Sequence, residues 1–319
     1  MAKFAVVAAV PPSSLNVLAD DYLASCRARS LAPTTIRTAY TYTLHNVFLP
    51  WCARNDIAGL DQLTQSVLDR FTSELLETPS KRGKQLSRDT VHHYVRIVRQ
   101  FLAWCGAKGE IVKAKPHLPQ LSQRVIEVLS RDEIGRLELA APTERDKLII
   151  RLLADTGIRV GELCSLESAN VVSGPEGRSF LKIFGKASKD RLVPLTPQLA
   201  RRLDSYRQVR PADSRGNRVF LAARRDASGE YAPLTTSGVL QLLRGAADRA
   251  GITRRVHPHL LRHSFATEAI RRGMNPAQLA QLLGHSGLRV IEQLYGRLND
   301  TDDYEALMRI LAVEKQPGS

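Results

Sequence analysis

Apolar residues recur at helical spacing through most of this chain. Leu15, Leu18, Ala19, Tyr22 and Leu23 form one stripe behind Ser13 and Ser14, residue types that cap helix starts, and predict a helix over 13–29. Ala32-Pro33-Thr34 opens a second helix running to about Trp51, with Pro33 in its first turn. A third is expected over 64–77, capped by Thr64. A fourth spans 87–105, with Val91, Tyr94, Val95, Val98, Phe101 and Leu102 on one face. The turn 79–83 separates these two. The pattern then breaks over 108–124, where Pro116 and Pro119 favour extended backbone. Beyond it Ser130-Arg-Asp-Glu133 is a capping box, and 144–156 has a strongly apolar helical face. Two short strands are expected at 179–184 and 191–194 around the turn 185–190. Further helices are expected at 197–209, 236–250, 259–272, 276–283 and about 290–298. The predicted fold class is therefore mainly α with a small β-sheet (α+β). A helical domain, 1–112, is joined by a linker, 113–124, to a mixed domain, 125–319.

Charge narrows the partners. Among 319 residues there are 46 Lys and Arg against 32 Asp and Glu, for a net charge of +14. The first 120 residues hold 15 against 9 and the remainder 31 against 23, so both parts are basic. A globular chain of this kind takes a polyanion, most often nucleic acid, and both domains are expected to touch it. The doublets Arg201-Arg202, Arg224-Arg225, Arg254-Arg255 and Arg271-Arg272 are candidate phosphate contacts, with about half expected only to solvate helix faces. No apolar run approaches the ~18 residues of a membrane span, and 4–10 is too short for a signal segment before Pro11-Pro12. Cys26, Cys52, Cys105 and Cys164 are far apart with no C-x-x-C pair, which fits reduced thiols inside a cell.

Four segments carry candidate chemistry. They are Thr156-Gly-Ile-Arg159-Val-Gly-Glu162-Leu, the turn Gly185-Lys186-Ala-Ser-Lys189-Asp-Arg191, His257-Pro-His259-Leu-Leu-Arg262-His263, and Leu283-Gly-His285-Ser with Tyr295 ten residues on. Each is ordinary alone: a surface arginine, a charged hairpin tip, a capped helix, a glycine C-cap before a core aromatic. His259 and Arg262 stand at i and i+3, where a helix presents neighbours on one face. Glu162 stands at i+3 from Arg159, a spacing that lets it hold the guanidinium. Arginine offers planar, bidentate donation to phosphate oxygens, and imidazole moves protons near neutral pH. Nucleotide-binding glycine loops and H-E-x-x-H are absent, and His257, His259, His263 and His285 lack a matching cysteine at zinc spacing.

Together the set Arg159, Lys186, His259, Arg262, His285 and Tyr295 resembles the tyrosine recombinases, or phage-type integrases, including the Xer recombinases. Thr156-Gly-Ile-Arg-Val-Gly-Glu-Leu, Pro258-His-Leu-Leu-Arg-His-Ser-Phe-Ala-Thr267 and Leu282-Leu-Gly-His-Ser286 carry the resemblance over 130–300. Thr34-Thr-Ile-Arg-Thr-Ala-Tyr40 is similar to the family's core-binding, SAM-like domain. The resemblance implies site-specific cleavage and rejoining of double-stranded DNA through a 3′-phosphotyrosine, with no metal, ATP or other cofactor. It implies two domains closing as a clamp, and a tetrameric synapse of copies in the cytoplasm with the nucleoid; accessory proteins stay open. Arg159, Arg262 and His285 would hold phosphate oxygens, Lys186 (with Lys189 the alternative) would protonate the leaving oxygen, His259 would assist proton transfer, and Tyr295 would attack. Glu162 would support Arg159. One departure stands out. In the family the tyrosine usually lies nine residues after this histidine and here Tyr295 lies ten after His285, an offset to be absorbed over 286–289 or by a bulge. Tyr304, nineteen residues on, lies among Asp300, Asp302, Asp303 and Glu305, which disfavour phenolate. DNA relaxation of the type IB topoisomerase kind and non-catalytic DNA binding are the competing readings. The tail segment 304–311 is expected to dock on a neighbouring copy or on its own domain.

Overall fold

A computed structural model of the chain describes residues 14–77, 79, 83, 85–121, 127–184, 190–211 and 217–284. The chain divides into two compact units, Met1–Arg124 and Val125–Ser319.

The first unit is helical. Ser14 caps α1 (Leu15–Ala28) by accepting from the Val17 N–H, and the whole predicted stripe is buried together with Cys26. The second helix is one rod in three parts. A single α-turn, α2 (Pro33–Thr35), runs into a π-wound stretch (Ile36–Phe48) and then α3 (Leu49–Arg54). The winding returns to α beside Pro50, which has no N–H to give. In α4 (Gln65–Glu77) Leu68 and Phe71 are buried, and in α5 (Arg88–Ala107) Ser87 caps the start. The buried face of α5 includes Ile97 as well as the expected valines, Phe101 and Leu102, whereas Tyr94 is half-buried. Phe48 meets Phe71 edge-on at 5.3 Å, and Trp51 meets Phe71 at 5.0 Å. Part of the expected linker belongs to this unit: Ala114 and Leu118 pack on its core, and His117 lies 2.9 Å from Asp69.

The second unit builds a larger core around α7 (Glu144–Thr156), whose buried face runs from Leu148 to Thr156. Against it lie α6 (Arg131–Leu139), started by the Ser130–Glu133 capping box, α9 (Pro197–Val209) and α11 (Pro258–Arg271). The short α8 (Val160–Ser165), α10 (Thr236–Arg249) and α12 (Pro276–Leu283) complete the described helices. The sheet is an antiparallel β1-β2-β3 made from Val171–Ser173, Ser179–Ile183 and Arg191–Leu195. Leu181 pairs with Val193 and Ile183 with Arg191, which turns Leu181, Ile183, Val193 and Leu195 into the core. The sheet therefore has one strand more than expected, and a second hairpin, β4 (Leu221–Arg225) with β5 (Tyr231–Pro233), stands apart from it. The helix expected at about 290–298, the tail segment 304–311 and the turn 185–189 lie outside the described residues.

Candidate active site

The site grows from two helix ends. The first is the end of α7. Gly157 there takes φ +62°, and a Cβ on it would meet Phe265 Cδ1 at 2.5 Å and Leu283 Cδ2 at 2.8 Å, so only glycine fits. Ile158 is buried just beyond, which throws Arg159 outward as the residue before α8. Its backbone N–H donates to Glu162 Oε2 at 2.7 Å and its Nη1 donates to Glu162 Oε1 at 3.0 Å. The second helix end is that of α12, closed by Gly284 at φ +66°.

Three guanidiniums converge on that second end. The last carbonyls of a helix have no partner within it and carry the negative end of its dipole. Arg191 Nε donates to the Leu282 carbonyl at 2.7 Å, Arg262 Nη2 to Leu283 at 2.8 Å, and Arg159 Nη2 to Gly284 at 2.9 Å. Arg262 also donates from Nη1 to the Gly157 carbonyl at 2.6 Å, so it ties the two helix ends together. Arg191 closes the set through Glu162, with Nη1 to Oε1 at 3.0 Å and Nη2 to Oε2 at 2.7 Å.

Electrostatics follow from this crowding. Burial pulls the Arg262 guanidinium down to about 10, with Arg159 and Arg191 adding to the shift and Glu162 opposing it. Burial pushes the Glu162 carboxyl up, but hydrogen bonds from Arg191 and from the Arg159 N–H outweigh it and hold the carboxyl below its ordinary value. Three guanidiniums around one carboxylate leave a positive balance, which suits an anion.

α11 supplies the imidazoles. His257 caps the helix, its Nδ1 accepting from the Leu260 N–H at 3.1 Å, and Pro258 fits the first turn. His259 is exposed in that turn, whereas Arg262, three residues on, is buried. His263 is half-buried. Burial lowers the pKa of both His257 and His263, with His259 next in effect for each. The buried Ser264 hydroxyl accepts from the Leu129 N–H at 2.8 Å and holds α11 to the segment entering α6.

Of the six sequence candidates, the structure brings Arg159 and Arg262 to one place and puts His259 in the first turn of α11. Lys186, its alternative Lys189, His285 and Tyr295 lie outside the described residues. Arg191 went unread in the sequence because it starts a strand beside a lysine-rich turn, where a charged residue needs no explanation. Its signal is register: it pairs with buried Ile183, so an alternating strand points an arginine to the interior side. The arginine doublets correct the sequence reading in part. Arg202 is held by Glu138 at 2.6 Å and Arg254 by Glu133, so one member of each of these two serves the fold, whereas Arg272 makes an exposed pair with Glu268 one helical turn away. Among the described residues no cluster of three or more His, Cys, Asp or Glu is arranged to hold a metal, and no helix is long and apolar enough to cross a membrane. Cys26, Cys52 and Cys105 are buried free thiols, and Cys164 is a half-buried one.

The chain is similar to known proteins in sequence and in fold. Residues 127–302 match the phage integrase family. The chain is 31% identical over 288 residues to the tyrosine recombinase XerA of Thermococcus onnurineus (strain NA1), covering 89% of this chain and 92% of that protein. It is 32% identical over 271 residues to the tyrosine recombinase XerD of Oceanobacillus iheyensis (strain DSM 14371 / CIP 107618 / JCM 11309 / KCTC 3954 / HTE831), covering 82% and 86%. Its fold matches the XerH site-specific recombinase in a post-cleavage complex with palindromic difH substrate, at a TM-score of 0.67 and 19% identity over 91% of this chain and 84% of that one.

Proposed function

The chain belongs to the phage integrase family of tyrosine recombinases, and from that premise we propose that it cuts and rejoins double-stranded DNA at a specific site through a 3′-phosphotyrosine. The observation that carries the reading is the meeting of Arg159 and Arg262 on adjoining carbonyls, Gly284 and Leu283, with His285 next in sequence. Two guanidiniums held this way can donate to the non-bridging oxygens of one phosphate and stabilise charge gained in the pentavalent transition state.

The phenol oxygen of Tyr295 attacks phosphorus, the P–O5′ bond breaks, and the leaving oxygen takes a proton from Lys186. A 5′-hydroxyl then attacks the phosphotyrosine, and the tyrosine recovers its proton. One phosphoester replaces another at each step, so the bond energy is kept and no nucleotide is consumed. His259 assists proton transfer from the phenol, whose ordinary pKa near 10 leaves little phenolate at pH 7. His285 donates to the phosphate.

In this reading the helical first unit is the core-binding domain, the second is the catalytic domain, and both basic units bind the duplex. Four copies assemble a synapse, in the cytoplasm with the nucleoid. Binding that neutralises 6–10 phosphates would lose about 10³–10⁵ in affinity between 50 and 200 mM salt. The test uses duplexes selected from a random pool by binding, then nicked near the cut so that the leaving strand diffuses away. Wild-type chain yields a detergent-resistant protein–DNA adduct and Tyr295→Phe yields none. An adduct with Tyr295→Phe refutes the nucleophile, and no adduct with wild type refutes the function.

A further inference from the structure

Arg191 has no part in the chemistry proposed above, yet its side chain is closely held at the site. Its side chain is 7% exposed, and all three kinds of guanidinium nitrogen are used: Nε on the Leu282 carbonyl, Nη1 and Nη2 on the two oxygens of Glu162. The same two oxygens accept from Arg159, one from its Nη1 and the other from its backbone N–H. Glu162 therefore has one orientation that satisfies both arginines at once, and Arg191 supplies the planar fork that selects it. By contrast the Arg159 side chain is 41% exposed, and without a fixed acceptor its long stem samples many rotamers. The other hand of Arg191 grips the last turn of α12, from which the chain passes through Gly284 to His285. The grip is close: a Cβ on Gly284 would meet Arg191 Nη1 at 2.9 Å and Cζ at 3.1 Å.

We propose that Arg191 is a positioning residue of the strand-cleavage reaction, a bridge that orients Arg159 through Glu162 and at the same time anchors the helix end leading into His285. The proposal rests on the recombinase reading. Its physical content is preorganisation: donors aimed at developing charge act best when they need not reorganise, and a shift of about 1 Å at a reacting centre costs about 10²-fold in rate. A lysine at 191 keeps the charge but offers neither the planar fork nor a separate Nε donor.

The experiment uses the full chain and the nicked duplex. It compares wild type, Arg191→Lys, Arg191→Gly, and the double variant Arg191→Met with Glu162→Gln, which leaves no lone buried charge behind. DNA affinity is expected to stay at the wild-type level while single-turnover adduct formation falls about 10- to 100-fold in Arg191→Lys and in the double variant. Ethylguanidinium added to Arg191→Gly, at a temperature where that variant is already fully folded, is expected to restore part of the cleavage rate, which a purely structural role does not allow. Wild-type rates in both Arg191→Lys and the double variant overturn the proposal. So does a deficit that vanishes when the assay is cooled further below the melting point. If the wild-type chain forms no adduct, the recombinase reading has failed, and amide hydrogen exchange then decides the bridge alone. Faster exchange confined to the last turn of α12 in Arg191→Lys supports it, and unchanged exchange there overturns it.

Discussion

Removing the carboxylate of Glu162 is the sharpest perturbation of the second unit. Its two oxygens accept four hydrogen bonds from Arg159 and Arg191, and its side chain is 12% exposed. The two arginines respond differently. Arg159 is partly exposed, so water replaces much of what it loses, and an exposed pair contributes at most about 1 kcal/mol. Arg191 is buried, and stripping one partner from a buried pair costs about 3–5 kcal/mol because the remaining charge cannot be solvated. The expected loss for Glu162→Ala is therefore about 3–5 kcal/mol, with Arg191 dominating. For a unit of this size each kcal/mol lowers the melting temperature by about 2–4 °C, so the fall is about 6–20 °C. The assay has an internal control, since both tryptophans, Trp51 and Trp104, lie in the first unit. Their fluorescence follows that unit, while calorimetry also records the second. A calorimetric transition that moves while the tryptophan transition stays supports the reasoning. Equal movement of both, or a loss below about 1 kcal/mol, refutes it. The pH dependence has a definite sign. The folded carboxyl lies below its ordinary 4.5, so its contribution is present above that value and is lost as pH falls through the lower folded one. The gap between wild type and Glu162→Ala should close in acid.

Three other outcomes are expected. Arg159→Ala and Arg262→Ala should each lower single-turnover cleavage about 10²–10³-fold while retaining DNA binding in a gel-shift assay; Arg262→Ala alone should also destabilise the unit, since the Gly157 and Leu283 carbonyls lose their donor. The half-buried, pKa-lowered His257 and His263 bind protons more readily in the unfolded chain, so their contribution to stability is full above 6.5 and is lost as pH falls below it; melting curves between pH 7.5 and 5.5 should show this, and His263→Gln should flatten the slope. Gly157→Ala should cost at least about 1–2 kcal/mol in urea unfolding, from a left-handed φ with Phe265 and Leu283 in the way of the added methyl.

Much of the architecture was legible before any coordinate. The stripes on α1 and α5, the capping serines at 14 and 130, and the full extents of α7, α9 and α12 follow from local periodicity and cap chemistry. The misses share a cause. β1 is three residues long, and β4 reads Leu-Ala-Ala-Arg-Arg with one buried position, so neither shows an alternation to detect. α8 is six residues long and exists because Arg159 and Glu162 close its first turn. The wide winding of 36–48 left no trace in the hydrophobic pattern, which reads as an ordinary helix at either pitch.

The sequence by itself determined which residue types were present and which helices would carry them, because caps, stripes and glycine ends act over a few residues. It also made the family recognisable through motifs each only a few residues long. Tertiary structure decided the rest: that Arg159 and Arg262 meet at neighbouring carbonyls of one helix end, that Glu162 answers to Arg191 as well as to Arg159, and that two of the arginine doublets give one member to ion pairs with distant glutamates. These are contacts between residues tens of positions apart, set by how helices and strands pack, and no local rule of spacing contains them.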